Sequence, residues 1–224
     1  MLKRSRLPVS GFILLFALAA CAQAADKIRV ACVGNSITFG AGVENRDKNS
    51  YPVKLGGLLG DEYEVHNFGV SGATLLKKGD RPYWNESAFK NATDLAPNIV
   101  IIKLGTNDTK PQNWKFSADY PADLSAMIDH FAQLPSKPKV YVCLPVPVHR
   151  DLFGIRGSVL NDELLPMLKE VTQRKEVPVI DLYSALLEVP EHFPDGVHPN
   201  AAGAELMAKA VHKALTEKTA AADK

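Results

Sequence analysis

The pattern that most constrains the fold of this chain is a repeated alternation of short apolar runs with longer amphipathic stretches. The apolar runs, predicted as strands, are residues 28–33, 64–68, 99–104, 140–144 and 177–182. Apolar residues at helical spacing occupy residues 52–59, 118–134, 159–174 and 201–215. Strands that alternate with helices predict an α/β fold.

The apolar runs are too continuous for strands that face water on one side. Residues 99–102 read Ile-Val-Ile-Ile. Strands of this kind are covered on both faces by crossover helices, as in a parallel sheet. The sequence therefore predicts a three-layer sandwich, with a central parallel sheet of about five strands flanked by helices. Ligands of such sheets bind beyond the carboxyl ends of the strands, so the loops there are the candidates for function.

Residues 1–24 are typical of a secretory signal peptide. Lys3, Arg4 and Arg6 precede an apolar run at residues 9–20 that ends in small residues. The run is shorter than the roughly 20 apolar residues that a membrane-spanning helix needs. We expect an exported protein, either periplasmic or secreted, with no membrane span.

The sequence of this leader fits two alternative cleavage sites. Residues 18–21 (Leu-Ala-Ala-Cys) resemble a bacterial lipobox, which would make Cys21 a lipid anchor, and Ala22-Gln23-Ala24 fits ordinary cleavage. We favour the ordinary site, because the few residues before the first strand give an anchored domain little reach. Residues 27–216 then form one predicted domain, and residues 217–224 a polar tail.

Charge and cysteine usage narrow the classes of partner. Lys and Arg total 26 against 25 Asp and Glu, so no large net field attracts nucleic acid or an anionic membrane. Cys32 and Cys143 lie in apolar runs and are predicted as buried thiols, with a disulfide between them as the alternative. Neither has a second ligand at metal-binding spacing, and no cofactor is predicted.

A serine and a histidine occur where an α/β fold would place chemistry. Gly34-Asn35-Ser36 follows the first predicted strand and would expose Ser36 at its carboxyl end. Asp195 and His198 share one loop before the last predicted helix. A serine becomes a useful nucleophile when a histidine takes its proton, and a carboxylate then orients and stabilises the imidazole. Ser36, His198 and Asp195 are the candidate catalytic residues.

Two further loops could stabilise the negative oxygen of an acyl-transfer reaction. Residues 67–72 (Asn-Phe-Gly-Val-Ser-Gly) follow the second predicted strand, and residues 105–108 (Gly-Thr-Asn-Asp) follow the third. Glycine lets a backbone N–H approach the substrate closely, and the Asn107 amide can donate a second hydrogen bond beside the Ser36 N–H.

These four blocks resemble those of the SGNH, or GDSL-like, hydrolase family, over about residues 28–215. The resemblance implies a flavodoxin-like fold and a carboxylic ester hydrolase. It implies Ser36 as nucleophile, Asp195 and His198 as its partners, and Ser36, Gly72 and Asn107 as donors of the oxyanion hole. One position departs from the family, whose first block usually reads Gly-Asp-Ser, because Asn35 replaces the acid. A neutral Asn can still bond neighbouring backbone, so we expect activity to be kept.

The substrate is less constrained than the reaction. The resemblance to exported bacterial esterases with a Gly-Asn-Ser block favours a carbohydrate O-acetylesterase, acting on sialate or a plant polysaccharide. Tyr83, Trp84 and Trp114 follow the second and third blocks and could stack on sugar rings. Arg150 or Arg156, in or next to a predicted pocket loop at residues 145–157, could contact a substrate carboxylate. An arylesterase or lysophospholipase remains the alternative within the family.

Two alternatives belong to other classes. His192, Asp195 and His198 are spaced three apart and could be metal ligands of a metallohydrolase, although Pro194 and Pro199 prevent a common helical face. The Asn35 departure also leaves open a catalytically dead protein that binds glycans. Such a protein would bind acetylated sugar without releasing acetate.

Overall fold

All five predicted strands are present in the computed structural model, which describes residues 26–217. They are β1 Ile28–Gly34, β2 Tyr63–Gly69, β3 Ile99–Lys103, β4 Lys139–Leu144 and β5 Val179–Asp181. The last strand is shorter than predicted. Pro178 has no N–H to donate to the ladder, and the chain turns into a helix at Leu182.

The strands form one parallel sheet, as predicted. Their order in the sheet is β2-β1-β3-β4-β5. From β1 the chain moves to β2 on one side, and then crosses to β3 on the other. A crevice opens between β1 and β3, because the connection after β1 runs to one side of the sheet and the connection after β3 runs to the other. At the carboxyl ends of β1 and β3, Gly34 is paired with Lys103.

Ten helices connect and cover the strands within residues 26–217. They are α1 Ser36–Phe39, α2 Arg46–Asn49, α3 Tyr51–Leu59, α4 Ser87–Asp94, α5 Pro111–Trp114, α6 Tyr120–Ala132, α7 Gly157–Val159, α8 Leu165–Arg174, α9 Leu182–Leu186 and α10 Ala201–Thr216. A π-helical turn, Leu160–Leu164, joins α7 to α8. The predicted helices correspond to α3, α6, α7–α8 and α10. The sequence did not predict α4, because a helix with a single fully buried residue, Ala92, shows little repeated apolar spacing.

The sheet is buried on both faces, which explains its continuous apolar runs. In β1, Ala31 and Val33 pack under one helical layer, and Val30 and Cys32 pack under the other. The first layer is formed by α4, α6 and α8, and the second by α3, α9 and α10. Full burial of one large aliphatic or aromatic side chain contributes about 1.5–3 kcal/mol, so the two layers together hold the sheet rigid.

Both cysteines of the described residues are buried free thiols, as predicted, and the alternative of a disulfide between them is wrong. Cys32 lies in β1 and Cys143 in β4, with β3 between these strands. Burial raises the pKa of the Cys32 thiol to about 12, although a hydrogen bond with Tyr51 opposes this shift. The thiols therefore stay protonated and act as small apolar core groups.

The predicted leader and its cleavage sites, Cys21 included, lie outside the described residues, as does the tail beyond Glu217. Within residues 26–217, none of the helices has both the length and the apolar content to cross a membrane.

A pair of glycine substitutions tests the packing at the end of β1. In Gly34→Ala the new Cβ would overlap the Thr38 hydroxyl and lie 2.7 Å from the Lys103 carbonyl oxygen, so we expect a loss of about 2–3 kcal/mol. Gly57→Ala, in α3, meets nothing within 4 Å and should gain about 0.5–1 kcal/mol. Urea unfolding measures both, and equal stabilities of the two variants would contradict the packing.

Candidate active site

Ser36 is the first residue of α1, directly after β1. The Asn35 side chain caps this helix, because its Oδ1 accepts a hydrogen bond from the Ile37 N–H at 3.1 Å. The first N–H groups of a helix have no partner within it. The cap uses the N–H of Ile37 and leaves the N–H of Ser36 to donate elsewhere. Ser36 is 8% exposed, so only the part that faces the crevice is accessible.

The structure brings Ser36, His198 and Asp195 together from opposite ends of the chain. Ser36 Oγ lies 2.9 Å from His198 Nε2, and His198 Nδ1 lies 2.7 Å from Asp195 Oδ2. The other carboxylate oxygen, Asp195 Oδ1, accepts the N–H groups of Val197 and His198 at 2.8 and 2.7 Å. Partial burial by itself would raise the pKa of Asp195, but these hydrogen bonds outweigh it and hold the pKa below its ordinary value.

The loop that carries Asp195 and His198 is fixed at both ends. Gly196 has a φ of 84°, which favours glycine, and its carbonyl accepts the His149 N–H at 2.8 Å. After His198, Asn200 caps α10 by accepting the N–H of Gly203 at 3.0 Å. The imidazole is therefore held by backbone on either side of it.

The other two predicted oxyanion donors line the same cavity as Ser36. Gly72, with a φ of 83°, and Asn107, in a 3₁₀ turn at Thr106–Thr109, line the same cavity as Ser36 and His198. The Asn107 Nδ2 donates to the Ala73 carbonyl at 3.1 Å, and its second hydrogen remains to be donated. Gly69, the other glycine of the second block, is the last residue of β2.

Asp108 joins the second and third blocks, a role that sequence reasoning missed. Its carboxylate accepts the N–H groups of Leu75 and Leu76 at 3.1 and 2.8 Å. Asp108 is fully buried, and burial raises its pKa to about 6, opposed by these hydrogen bonds. The carboxylate therefore fixes the loop that contains Gly72 against the turn that contains Asn107.

The candidate site is a cavity of about 320 Å³ at the carboxyl ends of β1, β2 and β3. This volume is at the lower end for small-molecule sites. Besides the residues above, it is lined by Ala41, Ser71, Lys110, Phe153 and Ile155. Phe153 and Ile155 come from the loop at residues 145–157, for which the sequence predicted a role in shaping the pocket.

The three aromatic residues predicted to stack on a sugar, Tyr83, Trp84 and Trp114, lie outside the cavity. Tyr83 is fully buried and Trp114 is 7% exposed, so the expectation of exposed aromatic faces at these two positions is wrong. Trp114 Nε1 donates to Glu163 at 2.7 Å, and half-buried Trp84 donates to the Leu75 carbonyl at 2.8 Å. None of the three lines the cavity. Spacing along the chain gave no information on which way these rings face.

The two predicted arginines do not line the cavity either. Arg156 Nε donates to the Thr109 carbonyl at 2.7 Å, so this guanidinium fastens the pocket loop to the turn after β3. Arg150 is exposed, beside Gly196.

The predicted metal-binding alternative has no geometric support. The two ring nitrogens of His198 already contact Ser36 and Asp195. No cluster of three His, Cys, Asp or Glu side chains within residues 26–217 is arranged to hold a metal ion.

Behind Ser36, the side chain of Asn35 contacts a buried lysine. Lys103 Nζ lies 3.3 Å from Asn35 Oδ1 and 3.2 Å from Thr106 Oγ1. Asn35 and Lys103 are both fully buried, and burial lowers the pKa of Lys103 to about 7. In place of Asn35, the acid usual in the family would face this ammonium directly.

Comparison with known proteins agrees with this geometry. Residues 32–206 match the GDSL-like Lipase/Acylhydrolase family, and the chain belongs to that family. It is 41% identical over 208 residues to an acetylxylan esterase of Xylanibacter ruminicola, and 24% identical over 236 residues to a multidomain esterase of Ruminococcus flavefaciens. These matches cover 85% and 91% of the chain but 43% and 30% of the relatives, so the chain spans less than half of their length.

Two solved structures share the fold. An inhibitor-bound aryl esterase of M. smegmatis superposes with a TM-score of 0.68 at 21% identity, covering 84% of this chain and 97% of that one. A carbohydrate acetylesterase of Sinorhizobium meliloti superposes with a TM-score of 0.65 at 20% identity, covering 84% and 98%.

The buried Lys103 predicts a pH dependence of stability. Its pKa is about 7 in the folded protein, against an ordinary value of 10.5, so between these values the unfolded chain binds a proton that the folded chain does not. The contribution of Lys103 to the free energy of unfolding therefore rises as the pH increases from about 7 to 10.5. We expect wild type to gain about 1.4 kcal/mol per pH unit over Lys103→Met between pH 7 and 10.

Urea unfolding of both proteins at several pH values measures this difference. Lys169→Met, at an exposed position of α8, controls for the loss of a surface lysine. If the difference in unfolding free energy between wild type and Lys103→Met does not change with pH, the amine of Lys103 is not buried without a compensating charge.

Proposed function

We propose that this protein is an exported serine esterase that removes small acyl groups, acetyl above all, from oxygen esters of carbohydrates. The observation that carries the proposal is the continuous hydrogen-bonded chain from Ser36 through His198 to Asp195. The relative named acetylxylan esterase and the fold shared with a carbohydrate acetylesterase support the choice of acyl group and alcohol.

The first half of the reaction forms an acyl-enzyme. Ser36 Oγ attacks the ester carbonyl carbon while its proton moves to His198 Nε2. The carboxylate of Asp195, which stays ionised because its pKa is lowered, stabilises the imidazolium. The carbonyl oxygen becomes negative and accepts hydrogen bonds from the N–H groups of Ser36 and Gly72 and from the Asn107 amide.

The intermediate then loses the alcohol. The carbon–oxygen bond to the sugar breaks, His198 Nε2 donates its proton to the leaving oxygen, and the acetyl group stays on Ser36. A water molecule takes the vacated place, gives a proton to His198 and attacks the acetyl carbon. Acetate leaves as Ser36 Oγ recovers its proton.

The predicted signal peptide supports a place of action outside the cytoplasm, where polysaccharides are reached. A lipid anchor at Cys21 stays a prediction. An arylesterase is a second candidate, favoured by the apolar Phe153 in the cavity and by the fold shared with an aryl esterase. Release of acetate separates either enzyme from the third possibility, a glycan-binding protein with a dead site.

Loss of the nucleophile should abolish turnover. For Ser36→Ala we expect the rate of acetate release from p-nitrophenyl acetate to fall at least about 10³-fold, because no acyl-enzyme can form. In wild type, mass spectrometry of acid-quenched protein should find one acetyl group on the peptide that contains Ser36. Full activity of Ser36→Ala would contradict the proposal, and an inert wild type would favour the binding protein.

Removal of an oxyanion donor should slow the reaction without weakening substrate binding. Asn107→Ala loses a hydrogen bond that strengthens as charge develops, so we expect kcat to fall by about 10²–10³ with little change in KM. The exposed Gln112→Ala, five residues along the chain, is the matched control. A change confined to KM would show that Asn107 binds the ground state instead.

A further inference from the structure

Phe153 combines two features that a folded protein normally avoids. Its side chain is 60% exposed, the highest value among the exposed large hydrophobic residues of the described chain. Its φ of 56° lies in the left-handed region, which bulky side chains rarely adopt. Backbone strain of this kind persists where the surroundings impose it, and it concentrates at functional sites.

The loop around Phe153 is held in place from several directions. Leu152 and Ile155 form an antiparallel bridge, with the Ile155 N–H donating to the Leu152 carbonyl at 2.9 Å. The Arg156 N–H donates to Thr109 Oγ1 at 3.1 Å, which joins the loop to the turn that carries Asn107. The exposed ring is therefore fixed by its flanking residues and does not depend on burial of its own surface.

The ring of Phe153 lies on the alcohol side of the reaction. Its centroid is 5.8 Å from that of the His198 imidazole, and both residues line the cavity. His198 must reach the leaving oxygen to protonate it, whereas the acyl oxygen turns toward Gly72 and Asn107. A group that stands beside His198 in the cavity therefore meets the alcohol half of the ester.

Lys110 places a positively charged side chain at the same cavity. Its side chain lines the cavity and packs against Gly154, next to Phe153. Among residues 26–217, no carboxylate lies within 4.0 Å of its ammonium group. Asp80 is close enough for the charge of Lys110 to help lower the pKa of its carboxyl, but the two groups form no direct ion pair. A lipid chain or a plain aryl group offers no acceptor to an ammonium at this edge of the cavity, whereas the hydroxyl groups of a sugar do.

We propose that Phe153 and Lys110 form the subsite for the alcohol, and that it takes a pyranose ring carrying the acetyl ester. The C–H face of the sugar stacks on Phe153, and the hydroxyl groups at its edge accept hydrogen bonds from Lys110. This assignment rests on the proposed esterase function, and it makes Phe153 and Lys110 residues that determine specificity.

Kinetics on two acetyl esters test the subsite. The substrates are an acetylated methyl xyloside and ethyl acetate, whose alcohol has no ring, and acetate release is measured for both. Phe153→Leu keeps an apolar side chain but removes the ring, whereas Phe153→Tyr keeps the ring. For Phe153→Leu and Lys110→Met we expect kcat/KM on the xyloside to fall about tenfold, mainly through KM. The loss on ethyl acetate should be much smaller, so the ratio of kcat/KM on the xyloside to kcat/KM on ethyl acetate should fall in both variants.

Two controls complete the series. Phe153→Tyr should retain the wild-type preference for the xyloside. Leu58, on α3, is another large apolar residue with an exposed side chain, at 42%. Leu58→Ala should change neither activity. Equal losses on both esters in Phe153→Leu, or no loss on either, would overturn the subsite. A wild type that cleaves ethyl acetate but prefers no sugar ester would overturn it while leaving the esterase function intact.

Binding tests the subsite separately from turnover. The affinity for the acetylated xyloside is measured by calorimetric titration of Ser36→Ala, which cannot turn the ester over. The double variant Ser36→Ala/Phe153→Leu should bind the xyloside about tenfold more weakly. An inert wild type would refute the proposed function, and the titration would still decide the subsite. Unchanged affinity in the double variant would overturn it.

Discussion

The parallel pairing of β1 with β3 is the constraint on which the rest of the site depends. Gly34 and Lys103 are paired at the carboxyl ends of these strands, so the segments that follow emerge side by side. One carries Ser36, and the other carries Asn107. The pairing is specified by burial, because both strands place apolar side chains against helices on each face. The core of the protein thus brings together Ser36 and Asn107, the candidate nucleophile and a candidate oxyanion donor, which are distant in sequence.

The loops around this core are fixed by buried polar groups, which exchange solvation for hydrogen bonds with backbone. Asp108 bonds the N–H groups of Leu75 and Leu76, and Asn113 bonds the Asn107 carbonyl at 2.9 Å. Each buried donor or acceptor would be expensive to leave unpaired, so the loops have few alternative conformations. Preorganised donors of this kind stabilise charge without the reorganisation that water would need.

The sequence was sufficient for the sheet and for the residues around Ser36, and insufficient for the pocket wall. Strands buried on both faces have a periodicity that can be seen directly, and Gly-Asn-Ser, Gly-Thr-Asn and Asp-Gly-Val-His are local motifs. Whether an aromatic ring faces a cavity depends on tertiary packing, which left Trp114 in the core and Phe153 in the cavity. The left-handed backbone of Phe153 has no signal of its own, although Gly154 after it marks a turn.

Asn35 changes the electrostatics behind Ser36 more than its small difference in structure from aspartate suggests. A carboxylate at this position would face Lys103 at hydrogen-bond distance and would keep that amine charged. With Asn35, the amine is bonded only to neutral oxygens, of Asn35 and Thr106, and burial lowers its pKa to about 7. Burial without an acidic partner thus makes this amine much easier to deprotonate than an ordinary lysine. A charge on this amine lies beside the N-cap of α1 and adds to the partial positive charge of the N–H groups there, next to the candidate nucleophile Ser36.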